Sequence, residues 1–216
     1  MSRIEIVNED ELEIHTIIKH LGASPINLMV AILNHIQDCN IDIKDFICDH
    51  LCWRCATIEE YQKIKSLFSS DKNNGDLGRI LVENMIGGRP ISTIHLNQPI
   101  LINTSNDCSF TIPAFELPCP KPGRFYESGW EHCEFSVKNK YNSLHDFVED
   151  YKNKIQFDYR AYQKNLNNDV SLEVNYFEKD QKKTGQVKFH LLPLEEVVKK
   201  TIGGGHSCGS SRQLFQ

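Results

Sequence analysis

The chain has 216 residues, 40% of them hydrophobic and 25% charged, with a net charge of −5 when its histidines are neutral. That suits a globular chain long enough to close one core, or two small halves sharing one. It excludes a nucleic-acid surface, which needs a dense basic stripe, because no basic run exceeds a pair such as Lys182-Lys183. No apolar run approaches the roughly 18 residues that a bilayer crossing needs. The acidic start, MSRIEIVNEDELEIH, has no signal-peptide apolar region, so the expected location is cytoplasmic. The eight cysteines are accordingly read as reduced thiols.

In chain order, Asn8 with Glu11 three residues on opens a helix. It carries Leu12, Ile14, Ile17, Ile18 and Leu21 and stops at Gly22. Ser24-Pro25 opens a second, with Leu28, Ile32, Leu33 and Ile36 as its buried stripe. Residues 49–55 read as a strand. Thr57 to Glu60 is a capping box for a helix bearing Tyr61, Ile64, Leu67 and Phe68. A polar turn at 71–76 leads to strands at 78–85, 91–102 and 109–117, the first two joined at Gly87-Gly88. The proline-rich stretch 118–123 is a linker.

The order then repeats. A strand covers 130–137, and a helix from Ser143 carries Leu144, Phe147, Val148 and Tyr151. Strands at 170–177 and 185–191 flank a polar turn at 179–184, and Pro193 opens a last short helix. This predicts an α+β chain of two βαβββ-like modules curved around a cleft. The expected organisation is N-terminal helices over 1–40, modules over 41–120 and 121–202, and a flexible Gly/Ser-rich tail over 203–216.

Strand side chains alternate faces. His50, Cys52 and Arg54 share one side of the first strand, with Leu51, Trp53 and Cys55 on the other. His132 and Glu134 oppose Cys133, Phe135 and Val137 in the same way. The apolar sides must meet the helices, so the polar sides face a cleft. His50 and His132 occupy like places in the two first strands. Glu116 and His190 occupy like places in the last ones. Imidazole and carboxylate donors suit a divalent metal ion of the Zn, Fe, Mn, Ni or Co kind.

Five blocks in order resemble the YecM family. They are Asp49-His-Leu-Cys-Trp-Arg54, Val82 to Ile91, Phe115-Glu-Leu-Pro118, Gly129 to Glu134 and Val187-Lys-Phe-His190, and they span about residues 25–200. That family is similar in fold to the vicinal oxygen chelate superfamily of glyoxalases, extradiol dioxygenases and bleomycin-resistance proteins. The resemblance implies metal ligands on the first and last strands of each half: His50, Glu116, His132 and His190. A carboxylate commonly stands at the last of these places, which leaves the metal's identity open.

Arg54 and Arg89 are the expected anchors for an anionic substrate. Glu134 and Glu83 are the expected base or histidine-orienting groups. His95 is a spare donor, and Tyr126 and Trp130 flank the cleft mouth, with core packing favoured for Trp130. Cys48, Cys52 and Cys55 have knuckle-like spacing, but they fall in a strand and alternate in direction, which disfavours structural zinc. The implied function is a metal-dependent lyase, isomerase or dioxygenase acting on a small oxygen-rich anion. A binding protein using the same cleft without turnover is the alternative, and a vestigial cleft on a protein whose surface serves a partner is a third. Paired modules also leave room for a homodimer sharing the cleft.

Overall fold

The structure, a computed structural model, describes residues 2–69, 77–164 and 168–203, without the side chains of 200–203. The expected turn at 71–76 and the tail beyond Gly203 lie outside the described residues. The elements are α1 (Glu9–Ile14), α2 (Thr16–Leu21), α3 (Ile26–Asp38), β1 (Ile47–Arg54), α4 (Ile58–Ser66), β2 (Gly78–Ile86), β3 (Arg89–Asn103), β4 (Ser109–Pro118), β5 (Gly129–Ser136), α5 (Leu144–Tyr151), β6 (Asp169–Glu178), β7 (Gln181–His190) and α6 (Leu194–Gly203). None of these helices is long and apolar enough to cross a membrane.

Local chemistry sets several boundaries. Thr57 and Ser143 cap α4 and α5 by accepting the backbone N–H groups of Glu60 and Asp146. Gly87 and Gly88, with φ of 59° and 79°, make the tight β2–β3 turn. Lys179 and Asp180 also adopt positive φ, so the β6–β7 turn shrinks to two residues and β7 begins at Gln181 rather than 185. The single helix expected from Asn8 to Leu21 is two. His15 is extended at the break, and its Nε2 meets the Gln98 carbonyl at 3.0 Å. Asn8 pins α1 to β3 through Leu101 and Asn103 instead of capping the helix.

One seven-stranded sheet runs β2-β3-β4-β1-β5-β7-β6. In the antiparallel pair β1–β5, Leu51 faces Cys133, His50 faces Glu134 and Cys52 faces His132. Exchanging the halves therefore maps His50 onto His132 and Cys52 onto Glu134, about an axis through the Leu51–Cys133 pair. The outer partners obey the same symmetry. β4 lies parallel to β1 with Glu116 beside Cys52, and β7 lies parallel to β5 with Lys188 beside Glu134. The counterpart of Glu116 is thus Lys188, two residues before the expected His190. Among the described residues the second half has two strands after its helix where the first has three. Residues 155–164 add no further strand and pair with the sheet through the isolated Asp158–Ser171 bridge.

The main core lies on the helix side. Phe115, Phe135, Phe147 and Phe189 are fully buried there, each contributing roughly 1.5–3 kcal/mol. Phe147 from α5 meets Phe189 at 4.9 Å between ring centroids. On the opposite face Leu194 and Val198 of α6 pack on Ala114, with Leu81 and Val82 beside them.

Candidate metal centre

Alternation along β1, β4 and β5 turns His50, Glu116, His132 and Glu134 to the α6 side of the sheet, where one donor atom from each lies within 4.8 Å of every other. His50 Nε2 is 3.6 Å from Glu134 Oε1 and 3.9 Å from Glu116 Oε2. His132 Nε2 is 3.2 Å and 3.9 Å from the same two oxygens. Tetrahedral bonds of about 2.0–2.1 Å would place donors about 3.3 Å apart, so small adjustments would suffice for one ion. The His50 side chain is fully buried, and its Nε2 has no hydrogen-bond partner. A buried polar atom left bare is costly unless something fills the place it points to. By donor chemistry and by this orphaned nitrogen, the residues fit a divalent ion.

Three of the four expected ligands are brought together, and Glu134 stands where His190 was expected. His190 Nδ1 meets the Leu192 carbonyl at 2.8 Å, and its Nε2 faces Asp49 at 3.4 Å. Asp49 is one of the residues that sequence reasoning missed, with Lys188 and Glu131. The β1 register shifts between Cys48 and His50, and Asp49 Oδ2 accepts the Leu194 N–H at the start of α6. The same oxygen lies 3.3 Å from His50 Nδ1. Asp49, His50 and His190 form a second donor group that shares His50.

Lys188 fills the remaining place. Its Nζ donates to Glu134 Oε1 at 2.7 Å and lies 2.9 Å from His132 Nε2. Burial disfavours the charged form of His50, but Glu134, Asp49 and Glu116 outweigh it and raise its pKa well above the ordinary histidine range. Burial likewise pushes the Glu134 carboxyl up, while Lys188 and His50 pull it further down, well below the carboxylate range.

A cavity of about 570 Å³ opens beside these groups, lined among others by Arg54, Arg89, Glu116, Glu131, His132 and Lys188. Arg54 pairs with Glu131 through Nη2, while its buried Nε and Nη1 have no partner. Its guanidinium lies 4.9 Å from the Tyr126 ring centre. Arg89 donates to the Cys119 carbonyl at 3.1 Å, and burial followed by the nearby Arg54 charge lowers its pKa. Trp130 is buried against Trp53, with centroids 5.3 Å apart.

Glu83 does not line this cavity. It sits on β2 facing α4, bound by Tyr61, Lys65 and Ser92. Burial pushes its carboxyl up, but those donors hold it below its usual value. Glu83→Gln should therefore lower stability at neutral pH by about 1 kcal/mol in urea melts, a surface-screened hydrogen-bond effect, and leave the cavity's ligand binding unchanged. Because the folded pKa is depressed, that stabilisation is present above the unfolded carboxylate pKa and lost as pH falls through the folded one. The gap between wild type and variant should close in acid. His95 joins no donor group among the described residues. Cys48 faces Cys133, with sulfurs 3.4 Å apart, and Cys52 faces Glu131, so no knuckle forms. The described cysteines are free thiols.

The family model for YecM protein matches residues 26–201. YecM of Escherichia coli strain K12 is 31% identical over 97 residues, which is 44% of this chain and 44% of that one. The matched stretch is thus under half the length of that curated relative. The solved structure of the structural-genomics protein EC4020 superposes with a TM-score of 0.54 at 22% identity, covering 90% of this chain and 97% of that one. This shows a shared fold. A methylmalonyl-CoA epimerase of Streptomyces coelicolor aligns over 66% of this chain and 96% of its own at 10% identity, with a TM-score of 0.36, too low to carry chemistry across. With β1 through β7 all inside the matched residues, this chain belongs to the YecM family.

Proposed function

We propose that this protein binds one divalent metal ion through His50, His132, Glu116 and Glu134, and that the adjoining cavity takes a small oxygen-rich anion. The reading rests above all on the orphaned Nε2 of His50, aimed among three further donor atoms within 4.8 Å of one another. Two imidazoles and two carboxylates suit zinc and its divalent neighbours. When bound, such an ion supplies Lewis-acid polarisation of neighbouring substrate oxygens. Arg54 and Arg89 orient the anion as cationic side chains of the cavity wall beside the ion. Glu134, expected as a base or histidine-orienting group, is in this reading a donor to the ion.

Elemental analysis of the purified chain after dialysis against zinc should give about one equivalent of metal, with none retained by the His50→Ala, His132→Ala double variant. Full metal retention by that variant would remove the site. For the anion, Arg54→Gln and Arg89→Gln should each weaken binding of small dicarboxylates to the zinc-loaded protein by about tenfold or more in calorimetric titrations, the scale of a lost charged hydrogen bond. Unchanged affinity in both would remove them as anchors.

The reading extends to a metal-dependent lyase, isomerase or dioxygenase. Binding without turnover draws on a separate observation: of the four carboxylates lining the cavity, Glu131 is tied to Arg54, Asp169 to Lys164 and Glu134 to Lys188, and Glu116 is given to the ion, so none is a spare base. Assaying the metal-loaded protein against α-keto hemithioacetals and catechols separates the two for those reactions. Turnover of either class supports the enzyme, and binding of both without turnover supports the alternative.

A further inference from the structure

By strand register Lys188 takes the place in the second half that Glu116 takes in the first. A carboxylate there would complete a symmetric set of two histidines and two last-strand acids. The chain puts an ammonium there instead. Its side chain is only 18% exposed, and it reaches back between the first-strand donors to Glu134 Oε1 and His132 Nε2. An imidazole nitrogen has one in-plane lone pair. An ammonium only donates, so at 2.9 Å from Lys188 Nζ this contact uses the lone pair of His132 Nε2, and His132 Nδ1 lies 3.5 Å from a Glu131 oxygen. The nitrogen cannot serve Lys188 and a metal ion together.

We infer that Lys188 is a resident counter-cation that competes with the metal ion for His132 Nε2 and Glu134, and so sets the affinity of the centre. This rests on the metal-binding reading above. Lys188 neutralises the donor carboxylates of the metal-free chain, which would otherwise stand buried and close together. The same group lines the cavity, so it has space to turn into when an ion takes its partners. Metal uptake then carries the work of displacing Lys188 and of holding a positive charge near a dication.

The experiment is a zinc titration by calorimetry, in competition with a chelator, on wild type, Lys188→Gln, Lys188→Met and Lys188→Arg. The glutamine retains a donor for Glu134, so the variant keeps a partner for that buried carboxylate and should fold. Zinc should bind the Gln and Met variants at least tenfold more tightly than wild type, and the Arg variant no more tightly. Cobalt(II) spectra of the wild type and the Gln variant should show the same coordination, with saturation at lower metal for the variant. Gln and Met variants that bind zinc no better than wild type would overturn the inference, as would an Arg variant that gains as much as they do. A wild-type measurement runs alongside: with side-chain ¹⁵N-labelled lysine, the hydrogen-bonded Lys188 ammonium should give a slowly exchanging signal that zinc abolishes. Its persistence at saturating zinc would also overturn the inference. If wild type binds zinc through His50 and the Lys188 variants are unchanged, only this inference falls. If no variant and no wild type binds zinc, the metal reading falls first and takes this one with it.

Discussion

His50→Ala should lower zinc affinity by at least about a hundredfold, beyond the range set by losing an outer-sphere partner alone. His50 Nε2 is buried and has no competing hydrogen bond, so no neighbouring side chain stands ready to replace it. His132→Ala should also cost a ligand's share, because the register sets His132 in the place of the second half that His50 takes in the first. His190→Ala should differ. Its Nδ1 is engaged with the Leu192 carbonyl and its Nε2 faces Asp49, so the zinc affinity should stay within about threefold of wild type, well short of a lost ligand. Competitive titration measures all three, and thermal melts with His50→Gln as the volume-keeping control separate lost binding from lost fold. A His190→Ala loss equal to that of His50→Ala would restore His190 as a ligand and displace Glu134.

Asp49→Asn is the second large expected effect. One carboxylate oxygen holds His50 Nδ1 from behind and accepts the first N–H of α6. A carboxylate behind a ligating imidazole fixes its tautomer and raises its basicity, and losing such a partner costs about ten- to a hundredfold in metal affinity. The amide keeps an acceptor for Leu194 but removes the charge that favours both the imidazole and the helix N-terminus. Zinc affinity should therefore drop ten- to a hundredfold, while the melting midpoint moves by only a few degrees. Asp49→Ala removes the cap as well and should cost roughly a further 1 kcal/mol of stability. Unchanged zinc affinity in Asp49→Asn would mean that His50 is oriented by packing alone.

Alternation made the cleft side of β1 and β5 legible before any coordinates, because His50, Cys52 and Arg54 cannot share the apolar face of Leu51 and Trp53. That was enough to place His50, Arg54, His132 and Glu116 on one side of the sheet. It could not choose between Lys188 and His190. These residues are two apart on one strand and point to the same side, so only the β5–β7 register separates them, and register is a property of pairing. Asp49 was hidden for a related reason: alternation puts it opposite His50, and the irregularity between Cys48 and His50 re-aims it. Glu83 failed differently. It lies on the edge strand β2, whose pattern is mixed on both faces, and its place was decided by the Tyr61 hydroxyl of a helix far from it in sequence. The break at His15 was invisible because helical spacing of Ile14, Ile17, Ile18 and Leu21 continues across it, while a carbonyl of β3 takes the ring.

The most direct measurement is an anomalous-difference map from crystals of the wild-type chain grown with zinc, recorded at the metal's absorption edge. One strong peak is predicted about 2.0–2.2 Å from His50 Nε2, His132 Nε2 and oxygens of Glu116 and Glu134, with Lys188 turned toward the cavity. A map with zinc only at surface sites, or with the peak held by Asp49 and His190 instead, would contradict the account.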